Sequence, residues 1–134
     1  MRNIFLISIF STFLFAGWSR DGNSVIDTKR HLQWQDDFKT QTSEKKWREA
    51  QIYCKNLEFL HHYDWRLPSL KELKSIVNAT HNKKIFHITD EAGYWTIDED
   101  KKDSINAWAI YFPNGHEFTA DKCDTSHLRC VRYK

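Results

Sequence analysis

At 134 residues the chain holds one domain, and a net charge of +2 at pH 7 argues neither for nucleic acid nor for an acidic membrane surface as its partner. Aromatic side chains make up 15% of it, which suits a small domain that must draw much buried area from few residues. Its three cysteines show no Cys-x-x-Cys spacing, which speaks against a zinc ribbon or a thioredoxin-like redox site.

The chain opens with Arg2 and then an apolar run from Ile4 to Ala16. That run matches the core of a signal peptide and falls short of the roughly 20 residues a membrane span needs. Residues 1–16 are therefore expected to be a signal peptide, with residues 17–134 as the mature domain in the periplasm, secreted or at the cell surface. No stable membrane insertion is expected after cleavage. In an exported chain three cysteines suggest one disulfide and one cysteine left over. Three pairings are open. A Cys54–Cys130 bridge would tie an early helix to the last strand and close a long loop, for a gain of about 4–5 kcal/mol in the chain-entropy treatment.

Val25-Ile26-Asp27 and His31 to Gln35 read as short strands around a turn at Thr28-Lys29-Arg30. Trp47, Ala50, Cys54 and Leu57 recur at helical spacing, from a start near Thr42-Ser43 where either hydroxyl can cap. Ser69 and Glu72 form a capping box for a second helix, buried through Leu70, Leu73, Ile76 and Val77 and ending near Asn78. Tyr94 to Ile97 is a strand, followed by an acidic loop from Asp98 to Asp103. Ala107 to Phe112 and His116 to Ala120 form a hairpin around Asn114-Gly115, and Leu128 to Tyr133 is the last strand. Two helices followed by antiparallel strands predict an α+β domain.

Several of these segments together resemble the Lcl C-terminal domain family. They are Val25-Ile26-Asp27 with Leu32-Gln33-Trp34-Gln35-Asp36-Asp37, Trp47 with Ala50, Tyr53, Cys54 and Leu57, and Trp65-Arg66-Leu67-Pro68 with Glu72-Leu73. Tyr94-Trp95-Thr96, Ala107-Trp108 with Phe112 and Gly115, and Arg129-Cys130-Val131-Arg132 complete the set. The resemblance covers nearly all of the mature chain. It implies a C-type-lectin-like fold with two helices on a short antiparallel sheet, similar to formylglycine-generating enzymes. It also implies a Cys54–Cys130 disulfide, a bacterial exported setting, and binding of glycans or host surface polymers.

Candidate ligand-binding residues are Arg66, Asp98, Asp100, Asp103 and His116, in loops around Asp98–Ser104 and His116–His127. A fixed guanidinium at Arg66 could grip sulfate or carboxylate; the competing reading has it paired internally while Trp65 and Leu67 fill the core. Asp98, Glu99, Asp100 and Asp103 could hold calcium, yet Lys101 and Lys102 interrupt them and a solvated acidic loop is the preferred reading. Trp34, Trp47, Trp95 and Trp108 could stack sugars if a ring face were exposed, but core is the preferred reading because they fall in predicted strands or a helix stripe. His61-His62-x-Asp64 reads as surface, so no metal ligands and no cofactor are assigned. The usual nucleophile elbow, phosphate loop and His-Glu-x-x-His motifs are missing from the sequence, so no catalytic residues are assigned. The expected function is a binding module for a glycan, a polyanion or an envelope protein. The alternatives are a copper- or thiol-dependent enzyme using Cys123 and Cys130, and an envelope protein–protein interaction module.

Overall fold

The structure is a computed structural model that describes residues 17–83, 85–87 and 92–134. The expected signal segment 1–16 lies outside the described residues. In chain order the elements are β1 (Trp18–Asp21), β2 (Ser24–Asp27), β3 (Leu32–Gln35), α1 (Lys39–Thr42), β4 (Glu44–Lys46), α2 (Trp47–Asn56) and α3 (Leu70–Lys83). They continue with β5 (Gly93–Glu99), β6 (Asn106–Tyr111), β7 (His116–Asp121), β8 (Thr125–His127) and β9 (Val131–Tyr133). The class is α+β, as expected, but the strands form two sheets and not one. The first has the order β1-β2-β3-β9 and the second the order β4-β8-β5-β6-β7.

The first sheet is antiparallel throughout, with Val25 opposite Trp34 and Trp34 opposite Val131. The start of the domain is thereby sewn to its end. Behind the sheet, Trp34, Val25 and Val131 meet Leu73, Ile76 and Val77 of α3 and Tyr94 and Ile110 of the second sheet, forming one core cluster. The other core lies on the opposite face of the second sheet. There Trp47, Ala50 and Cys54 of α2 pack on Trp95, Ala107 and Ala109, with Trp65, Leu67 and Leu128 alongside. Each helix therefore covers one face of β5–β6, because its apolar residues recur at three- and four-residue spacing and form a single stripe.

Cys54 on α2 is bonded to Cys130, just before β9, and Cys123 is free and exposed. The bridge is buried in the α2 core. A second buried tie joins the sheets: the Arg129 guanidinium donates to the Gln35 carbonyl at 2.6 Å and to Asp36 Oδ1 at 2.9 Å. Asp36 also accepts from both terminal nitrogens of Arg20 at 2.7 Å, and from the His87 N–H at 2.8 Å. A buried carboxylate in such a place must be paired, and this one holds together β1, the end of β3 and the approach to β9.

Helix boundaries differ from expectation for local reasons. Lys39–Thr42 forms its own short turn, and Glu44–Lys46 extends to pair with β8, so α2 starts at Trp47 and not near Thr42-Ser43. Its first free donor, the Lys46 N–H, is taken by the Glu49 carboxylate at 3.4 Å. The capping box at Ser69 is present as read: Ser69 Oγ accepts from the Glu72 N–H and Glu72 Oε1 accepts from the Ser69 N–H. Its helix, α3, runs past Asn78 to Lys83, since no glycine or proline interrupts those residues. The last strand is shorter than read, with Leu128, Arg129 and Cys130 buried ahead of it.

Candidate functional site: a cleft over Trp108

Strand alternation puts Ala107 and Ala109 of β6 on the α2 face and turns Trp108 to the other face. Farther along that face α3 covers Tyr94 and Ile110, but Trp108 lies half-buried at its edge. Around it opens a cleft of about 500 Å³ lined by Leu70, Asp98, Glu99, Asp100, Lys101, Lys102, Trp108 and Thr119. Thr119 is the β7 residue directly opposite Trp108.

A bulge builds one wall. The β5–β6 register shifts between Trp95 and Glu99, and such irregularities re-aim the side chains beside them. Within it the buried Thr96 hydroxyl donates to the Trp108 carbonyl at 2.9 Å and accepts from the Asp98 N–H at 3.1 Å. Asp98 Oδ2 in turn accepts from the Leu70 N–H at 2.6 Å, and the Ile97 N–H donates to the Pro68 carbonyl at 2.8 Å. The first turn of α3 is thus zipped to the strand that borders the tryptophan. This carboxylate also meets the positive end of the helix dipole.

The acidic rim is organised by the backbone. Asp100 Oδ1 accepts from the Lys102 N–H at 3.0 Å, Asp103 Oδ1 from the Ile105 N–H at 3.3 Å, and Glu99 pairs with Lys122 at 3.0 Å. The first two are side-chain turns of the kind Asp favours, which hold the tip of the loop in one shape. Lys101 and Lys102 balance Asp98 and Asp100, so the cleft carries both donors and acceptors around one half-buried ring. Among the described residues no three His, Cys, Asp or Glu side chains are grouped to share a metal ion.

The sequence model of the Lcl C-terminal domain matches residues 23–132. The chain belongs to that family. Its match runs from the start of β2 into β9 and contains every residue of the cleft. No curated protein matches the chain. In this Lcl C-terminal domain, the Trp65-Arg66-Leu67-Pro68 segment is scaffold. Trp65 and Leu67 are buried, and Arg66 exchanges two backbone hydrogen bonds of 2.9 Å with Val131. Its guanidinium grips both oxygens of Glu72 at 2.8 and 2.9 Å and lies 4.4 Å from the centroid of the Tyr133 ring. The hydrogen bond to Glu72 raises the Arg66 pKa above its ordinary value. Burial pushes the Glu72 carboxyl up, but the Arg66 and Ser69 hydrogen bonds outweigh it and hold the group below its usual value.

Of the five sequence candidates, only Asp98 and Asp100 line the cleft. Asp98 and Glu99 belong to β5 and not to a loop, and Asp98 is a helix cap. Asp103 sits in the adjoining turn without lining the cleft, and Arg66 is the internal clip just described. His116 opens β7, opposite Tyr111, whereas Asn106 at the cleft end of β6 faces Asp121. A strand of that length places His116 roughly 17 Å from the acidic turn, too far to share one small ligand. Residues 116–121 are strand, and so are Thr125–His127, so the expected second loop is reduced to residues 122–124.

Trp108, for which core is the preferred reading and sugar stacking the lesser one, is half-buried; Thr119, Leu70, Lys101 and Lys102 line the cleft with it, and none of the four is among the sequence candidates. Trp34, Trp47 and Trp95 are core, as read. The available signal was the alternation Ala107-Trp108-Ala109, which sets the tryptophan on the face opposite two alanines. Which face α3 leaves uncovered at that position is a tertiary matter.

Proposed function

We propose that this is an exported, C-type-lectin-like binding domain without catalytic activity, whose cleft over Trp108 takes a saccharide. Trp108 carries this reading: an indole half open to solvent, in a cleft of the size small ligands occupy, with carboxylates, ammonium groups and a hydroxyl around it. A sugar ring can lay its C–H face on the indole while its hydroxyls bond to Asp100, Lys101, Lys102 and Thr119. The lectin-like reading is supported by the staple from α2 to the residue before β9, and by the pairing of β3 with β9.

Export is supported by the disulfide, which persists in oxidising compartments. Thiol-pair chemistry at Cys123 and Cys130 lacks support, because Cys130 is bridged to Cys54.

The test is a screen of neutral and anionic oligosaccharides on the native protein, followed by titration of the best binder against Trp108→Ala and Asp100→Asn. Loss of a stacking anchor should weaken binding at least about tenfold, the scale of a central contact residue. A binder held equally well by W108A would refute this placement of the site.

A further inference from the structure

A second groove lies on the far side of the sheet. It follows the outer side of α2, measures about 570 Å³, and is lined chiefly by Lys39, Lys45, Glu49, Ile52, Tyr53 and Glu58. Since α2 turns Trp47, Ala50 and Cys54 onto the face carrying Trp95 and Ala109, this groove faces away from Trp108. Three of the seven exposed large apolar side chains among the described residues lie in it or beside residues that line it. Ile52 is 53% exposed, Phe38 beside Lys39 is 69% exposed, and Tyr63 is 67% exposed while its hydroxyl donates to Glu58 at 2.9 Å. Single exposed apolar residues are ordinary, but Ile52 inside the groove with Phe38 and Tyr63 bordering it, ringed by charge, suits an interaction surface.

The distribution of charge indicates what covers it. Lys39 and Lys45, with Glu49 in the first turn of the helix, leave the end where α2 begins with a net positive charge, and Lys45 Nζ lies 5.4 Å from the centroid of the Tyr53 ring. Glu58 stands just beyond the other end, about 15 Å away along a ten-residue helix. Arg48 and Lys55 are outside the lining. A second copy laid antiparallel about a two-fold axis near Ile52 puts each basic end on the other copy's acidic end, so the same contact forms twice. A parallel arrangement stacks like charge on like. We infer that the α2 groove is the interface of a two-fold homodimer, with the two α2 helices antiparallel. Both Trp108 clefts then face outward, although the dimer does not depend on what they bind.

Sedimentation equilibrium on the disulfide-bridged protein tests this, in a Cys123→Ser background that removes the exposed thiol. The expected result is a reversible monomer–dimer equilibrium between micromolar and near-millimolar protein. Ile52→Asp, at an exposed position, should weaken it about 30-fold, as loss of a central anchor does. Lys45→Glu and Glu58→Lys should each weaken self-association, and an equimolar mixture of the two should recover it, because opposite charges then meet at both ends. Thermal melts establish that each variant is folded. A monomer at every concentration, a dimer indifferent to I52D, or a mixture no tighter than its components overturns the inference.

Discussion

Removing the Cys54–Cys130 bridge is the most direct test of how this small domain is held together. The two cysteines are 76 residues apart in sequence. In the chain-entropy treatment, closing a loop of that length in the unfolded chain costs about 15 cal/mol/K, or about 4.5 kcal/mol at 25 °C. Both cysteines are fully buried between α2 and the residues before β9, so a Cys54→Ala/Cys130→Ala variant also loses sulfur packing from that core. A total stability of about 5–15 kcal/mol is usual, so the variant is left marginal. Urea unfolding followed by circular dichroism reads the effect. With a slope of about 1.5 kcal/mol/M, the midpoint should fall by about 3 M. A drop smaller than about 0.7 M at unchanged slope corresponds to less than 1 kcal/mol, and it would refute the view that the bridge restrains the unfolded chain. A changed slope would instead place the effect in the compactness of the denatured state.

Three further outcomes follow from buried or capping groups. Arg129→Met leaves the Asp36 carboxylate buried with one fewer cation, and should cost about 3 kcal/mol or more in urea unfolding; a neutral result would mean that Arg20 and the His87 N–H suffice. Asp98→Ala removes the acceptor for the Leu70 N–H and should lower stability by about 1 kcal/mol, read as a fall in Tm, with α3 fraying at its first turn. Because the folded Glu72 pKa is depressed, its contribution is present above the unfolded carboxylate value and lost as pH falls through the folded one. Arg66→Ala should therefore cost about 1 kcal/mol at neutral pH and narrow the gap in Tm between pH 7 and pH 2; a gap of unchanged width would show that Arg66 does not hold the carboxylate down.

The elements legible in the sequence were those whose signal is local. The Ser69–Glu72 capping box, the Trp47, Ala50, Cys54 stripe and the Asn114-Gly115 turn each need only a few adjacent residues, and each is present. Strands β1, β4 and β8 were not legible. They are three or four residues long and owe their extended form to partners far along the chain: Glu44–Lys46 pairs with Thr125–His127, some 80 positions away. The same dependence split the expected single sheet into two.

Family membership, the α+β class, the capped helix and the apolar stripes of α2 and α3 were determined by the sequence itself, because periodicity, cap chemistry and motif order are properties of neighbouring residues. Tertiary structure alone decided how the candidate residues are placed. It pairs Arg66 with Glu72, uses Asp98 to cap α3, and sets His116 at the end of β7 away from the acidic turn. It also left Trp108 half open because α3, pinned at Leu70 by Asp98, covers Tyr94 and Ile110 but only borders the tryptophan. Exposure of a side chain depends on which distant element lies across it, and no spacing within β6 encodes that.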